Sequence, residues 1–85
     1  MRYTVRMESR VRKTLDRLPG DLYGRIIRKL GALEENPRPF GVEKLGGSEN
    51  LYRVRVGDWR IVYAILDREL VVIVIRIGHR REVYR

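Results

Sequence analysis

The chain opens with strict alternation. Tyr3, Val5 and Met7 interleave with Arg2, Thr4 and Arg6, the period-two pattern of a half-buried strand. The period then lengthens: Val11, Leu15 and Leu18 recur at i, i+4 and i+7, a single helical stripe. Ser9 is placed to cap this helix, which is expected to run to about Leu18, where Pro19-Gly20 breaks it. Asp21 is the expected cap of a second helix whose inner face carries Leu22, Ile26, Ile27, Leu30 and Leu33. Asn36-Pro37 ends it, because proline removes a donor and disfavours helical geometry in the residue before it. Residues 40–50 are rich in glycine and read as loop.

Three strands are expected after that loop, at 51–56, 59–66 and 70–77, with Gly57-Asp58 and Asp67-Arg68-Glu69 as hairpin turns. The last of them is apolar without a break from Leu70 to Ile75, which suits a strand inside a sheet and not at its edge. The order β-α-α-β-β-β predicts an α+β fold: an antiparallel twisted sheet packed on a helical hairpin, with residues 1–85 as one domain. Val11, Leu15, Leu18, Ile26, Leu30, Val54, Ile61, Val72, Ile73 and Val74 are the expected core.

The polar positions of the same strands bring in the chemistry. Alternation in Tyr52-Arg53-Val54-Arg55-Val56 turns Arg53 and Arg55 to one face, about 7 Å apart. Arg60 follows the next turn and can join them. The final strand then ends near Gly78 and delivers His79, Arg80, Arg81, Glu82, Tyr84 and Arg85 to one rim. Guanidinium groups bind phosphate through a forked, permanently charged geometry, and a tyrosine can stack on a base or move a proton. A solvated polar face is the alternative reading of the strand arginines. His79 is the only side chain whose ordinary pKa lies near neutrality; it reads equally as an acid–base group and as a strand-end contact.

Composition narrows the classes. The formal charge is +8, and of 19 basic residues only Lys13, Lys29 and Lys44 are lysine. Such a balance favours a polyanionic partner, nucleic acid or an acidic protein. The absence of cysteine excludes disulfides and thiolate metal sites, and one histidine argues against catalytic zinc, so no metal and no cofactor are expected. No apolar stretch approaches the roughly 20 residues needed to cross a bilayer, so no membrane partner is expected and a cytoplasmic location is.

Three stretches together, Asn36-Pro37-Arg38-Pro39-Phe40-Gly41 with Lys44-Leu45-Gly46-Gly47, the segment YRVRVGDWRIVY and the tail IGHRREVYR, resemble the RelE branch of the RelE/ParE toxin superfamily over nearly the whole chain. The resemblance implies the toxin of a type II toxin–antitoxin pair, a ribosome-dependent, metal-independent endoribonuclease that cuts mRNA in the A site through attack of the RNA's 2′-hydroxyl. It implies catalytic roles for Arg60, Arg80 and Tyr84 and places Arg53 and Arg55 at the family's basic strand positions, as RNA-binding residues; His79, Arg81 and Arg85 are read as RNA-binding from their charge and place in the tail. The partners it implies are a RelB-like antitoxin, the ribosome and mRNA. Arg53 and Arg55 stand where relatives often carry lysine; arginine stays protonated, so the base is sought in Tyr84 or His79. Two other readings remain at this point: a ParE-like poison of DNA gyrase without chemistry of its own, and a degenerate member that binds its antitoxin without toxicity.

Overall fold

The unbroken apolar strand lies inside a five-stranded sheet, with a neighbour on each side. A computed structural model of the chain describes residues 1–47 and 49–83. Its elements are β1 (Thr4–Met7), α1 (Ser9–Asp16), α2 (Gly20–Glu35), β2 (Glu43–Lys44), β3 (Leu51–Val56), β4 (Trp59–Leu66), β5 (Val71–His79) and α3 (Arg80–Val83). The sheet order is β1-β5-β4-β3-β2. The three long strands are antiparallel neighbours, as their short turns require, while β1 joins β5 in parallel, Thr4 opposite Val71 and Met7 opposite Val74. The α+β class stands, with the parallel edge strand as an addition to it.

Both helices put their apolar stripes on one face of the sheet. Val11 and Leu15 of α1 and Ile26, Leu30 and Leu33 of α2 share a single core with Tyr52, Val54, Val56, Ile61, Tyr63, Ile65, Val72, Val74 and Ile77. Two expected core residues differ. Leu18 lies beyond the end of α1 and is only partly buried. Ile73 alternates with Val72 and Val74, faces the other side of the sheet opposite Ala64, and is half-buried.

The element ends show where local signals were misplaced. Glu8, not Ser9, is the N-cap of α1: its carbonyl accepts the Arg12 N–H at 3.0 Å, so Ser9 is already helical. Pro19, not Asp21, precedes α2, its carbonyl accepting the Tyr23 N–H at 2.8 Å. Asp21 sits within the first turn, where the helix dipole favours a negative charge. Leu70 adopts a left-handed φ of 55° and closes the turn, which delays β5 to Val71. The strand then continues through Gly78 to His79, and the tail becomes a short helix instead of an extended rim. The expected loop at 40–50 contains β2, a two-residue strand paired to β3 through Glu43–Arg53 and Lys44–Tyr52.

A polar clip ties the segment after α2 to the β4–β5 turn. Arg38 meets Asp67 with two hydrogen bonds of 3.2 and 2.8 Å, Tyr3 donates to the same carboxylate at 2.7 Å, and the Arg38 Nε donates to Tyr52 at 3.2 Å. The buried Tyr63 hydroxyl donates to the Pro37 carbonyl at 2.7 Å, and burial pushes its pKa up, keeping it a neutral donor. The Arg38 bonds, then that of Tyr3, hold Asp67 down at about 2 against an ordinary 3.8.

Both the core and the clip can be tested by stability measurements. Leu30 is 5% exposed, so Leu30→Ala is expected to cost about 2–5 kcal/mol in denaturant unfolding; a cost near zero would mean the inner face of α2 is not core. Because Asp67 has a depressed pKa in the folded state, its contribution is present above pH 3.8 and is lost as pH falls through about 2. Asp67→Asn should therefore be less stable than the parent near neutrality, with the difference closing across that acid window in melting curves.

Candidate nucleic-acid interface

Strand pairing decides which side chains share a surface. Arg55 and Arg60 are cross-strand partners on β3 and β4, and Arg53 lies two residues from Arg55. Side chains of partners in register project to the same side. The residues between them, Val54 and Ile61, are buried with the helices, so Arg53, Arg55 and Arg60 occupy the face away from α1 and α2. On its other side Arg60 is paired with Gly78, a position with no side chain to crowd it.

The three arginines differ in environment. Arg60 is only 6% exposed, and its Nη1 donates to the carbonyls of Gly57 at 3.2 Å and Trp59 at 3.1 Å. Its guanidinium is thus folded onto the β3–β4 turn. Arg80 reaches the same turn through its backbone, its N–H donating to the Asp58 carbonyl at 2.8 Å where α3 begins. The turn at 57–58 therefore anchors both residues, while Arg55 beside them is exposed, as is Arg80. Arg53 is engaged elsewhere: its Nη2 lies 2.9 Å from the Glu43 carboxylate, and its side chain is 13% exposed. Glu43 was invisible to sequence reasoning because β2 was read as loop; a charged residue opposite Arg53 becomes evident only from the strand register.

The tail does not deliver all its candidates to this face. His79 is the cross-strand partner of Trp59 and packs edge-on against it with ring centres 5.9 Å apart. Trp59 precedes Arg60 in an extended strand, so His79 belongs to the opposite side of the sheet end. Its Nδ1 accepts the Arg81 N–H at 3.3 Å, a strand-end contact. Arg81 is exposed on α3. Tyr84 and Arg85 lie outside the described residues. Arg76, not singled out in the sequence, is exposed on β5 and donates to the Glu82 carbonyl at 3.2 Å, linking the strand to α3. Among the described residues no cluster of three or more His, Cys, Asp and Glu is suited to a metal ion, and no helix is long and apolar enough to cross a membrane.

Chemically, the arrangement fixes one guanidinium on a tight turn by backbone carbonyls, with the exposed Arg55 as its cross-strand partner. Fixed donors of this kind can stabilise a developing negative charge without reorganising.

Comparison with known proteins agrees with this geometry. The family described as ParE toxin of type II toxin–antitoxin system, parDE, matches residues 3–84. The toxin RelE of Mycobacterium tuberculosis is 33% identical, over 98% of this chain and 87% of its own length. The mRNA interferase toxin RelE of Escherichia coli is 31% identical, over 99% and 92%. The archaeal RelE–RelB complex of Pyrococcus horikoshii contains a chain 34% identical to this one, superposing with a TM-score of 0.84 over 94% of this chain and 97% of that one. The arginine-bearing sheet face, the helices behind it and these full-length matches agree: the chain belongs to the RelE/ParE superfamily of toxins from type II toxin–antitoxin systems and is of the RelE type.

Proposed function

We propose that this protein is a ribosome-dependent endoribonuclease that cuts mRNA in the A site, the 2′-hydroxyl attacking the adjacent phosphate to leave a 2′,3′-cyclic phosphate and a free 5′-hydroxyl. The observation that carries this reading is the pairing of Arg55 and Arg60 on one sheet face, beside a turn at 57–58 to which the backbone of Arg80 is also bonded. The reaction needs a proton taken from the nucleophile, charge stabilised on a phosphorane-like transition state, and a proton given to the leaving oxygen. Fixed guanidinium donors answer the second need, since they require no reorganisation when charge develops. Arg80 and Arg55 are the exposed groups that would meet the phosphate, with Arg60 held beneath them as a fixed charge. Arginine stays protonated, and His79 lies on the other side of the sheet end; of the two candidates this supports Tyr84 as the proton-transfer group. No metal is assigned a part in these steps.

The M. tuberculosis and E. coli relatives are named toxins, the latter an mRNA interferase, and the P. horikoshii relative is found with RelB. These names support an antitoxin of RelB type as the partner of this chain and mRNA as its target; the ribosome as a further target and the cytoplasm as the place of action are part of the proposal.

Cleavage on programmed ribosomes, with chelator added beyond the magnesium the ribosome needs, tests the reading. Arg80→Ala is expected to lower the single-turnover rate by about 10²–10³ while ribosome affinity changes little, since the group acts on the transition state. A variant that stays fully toxic while DNA gyrase becomes trapped on DNA would replace the nuclease reading with gyrase poisoning. The Arg53–Glu43 pair gives a second test. If Arg53 meets RNA, Glu43 competes for it, and Glu43→Gln should tighten binding to programmed ribosomes by up to about fivefold, the range of an ordinary surface ion pair. Unchanged affinity would remove Arg53 from the RNA surface.

A further inference from the structure

A second concentration of positive charge lies around the corner from the sheet face. Arg25, Arg28 and Lys29 of α2, together with Arg55 of β3, line an open cleft of about 430 Å³ whose remaining wall is Ala32, Val56 and Gly57. Arg25, Arg28 and Lys29 stand at i, i+3 and i+4, one helical face beside the buried stripe of Ile26, Leu30 and Leu33. None of these four cations pairs with a carboxylate among the described residues, whereas Arg2, Arg10, Arg38 and Arg53 all do.

The cleft is shaped by the same turn that anchors Arg60 and Arg80. Gly57 has a φ of +60°, and the Arg25 Nη2 lies 3.0 Å from where a Cβ at that position would stand. A side chain there would be strained and would push the Arg25 guanidinium off the turn. Glycine thus lets a helix arginine lie over the turn while Arg60 binds the turn's carbonyl from the sheet side.

We propose that this cleft binds backbone phosphates of the substrate RNA on one flank of the cut, as a track continuous with the sheet face. The assignment rests on the nuclease reading above. Arg55 supports it, because that side chain belongs both to the arginine face of the sheet and to the cleft wall, so a strand lying on the face passes into the cleft without leaving positive surface. The cleft is open, and its four cations, three of them forked guanidinium groups, surround a small apolar patch of Ala32 and Val56. Continuity with the arginine face through Arg55 is what favours an RNA backbone over an acidic protein segment.

The test uses the full chain and the triple variant Arg25→Gln, Arg28→Gln, Lys29→Gln, whose fold is checked by thermal melting. Binding is measured against salt on ribosomes loaded with mRNA carrying a 2′-O-methyl group at the A-site codon, which cannot be cut. The variant should bind more weakly, with a slope of log affinity against log salt flattened by about 0.7 for each phosphate no longer neutralised, about 2 if all three cations engage. The loss should vanish on ribosomes without mRNA. An equal loss there would assign the phosphates to ribosomal RNA and overturn the substrate track. Unchanged affinity and slope, with the parent still binding and cutting, would overturn the cleft and leave the nuclease reading intact. Intact ribosome binding with lost affinity for poly-glutamate would make the cleft a protein-docking site and also overturn it. A parent that neither binds nor cuts would instead be the failure of the nuclease reading itself.

Discussion

Strand alternation is the constraint on which the rest of this molecule depends. A strand that turns Val54 toward the helices must turn Arg53 and Arg55 away from them, and β4 must do the same with Ile61 and Arg60. The hydrophobic core and the arginine face are thus one decision read from two sides. A register slip of one residue would bury guanidinium groups and expose valine and isoleucine together. The same alternation carries Trp59 and His79 to the helix side, which separates the lone imidazole from the arginines a few residues away in sequence.

A surface that gathers cations must manage their mutual repulsion. This chain uses three devices at close range. Glu43 reaches across from the short edge strand to Arg53. Backbone carbonyls, whose partial negative charge is fixed, take up Arg60. Arg55 and Arg80 are left in water, where the dielectric weakens the repulsion. The clip of Arg38, Asp67 and Tyr3 is built on the β4–β5 turn, at the far end of β4 from the turn at 57–58.

Long periodic segments were legible in the sequence because burial of a whole stripe or face outweighs local detail. The bounds of β3 and β4, the interior position of β5 and the α2 stripe of Leu22, Ile26, Leu30 and Leu33 all follow from that, but Ile27, expected on the same inner face, lies beside the stripe and is exposed. What escaped had weak or competing local signals. Ser9 and Asp21 look like caps, yet the first carbonyls to accept helical bonds belong to Glu8 and Pro19. Glu43–Lys44 is too short to show a period, so the partner of Arg53 stayed hidden. Gly78 suggested a stop, but paired with Arg60 it serves as an ordinary strand position. The tail's helical turn at 80–83 was masked by its charge, which drew attention to chemistry before conformation. For the candidate site, the sheet arginines could be read from period two alone; the turn that anchors Arg60 and Arg80 could not, because those bonds go to backbone carbonyls that no residue name announces.

The parallel pairing of β1 with β5 has a consequence for the order in which the molecule comes into being. The earliest strand of the sheet pairs with the latest, and β5 lies between it and β4. The helices can form from local contacts as they emerge, and β3 with β4 can close a hairpin, but the sheet stays in two parts until β5 is available. The residue that follows β5, Arg80, is also the one whose backbone bonds to the turn at 57–58. A growing chain therefore cannot close its sheet, or bring Arg80 to the turn at 57–58, until its last strand has been synthesised.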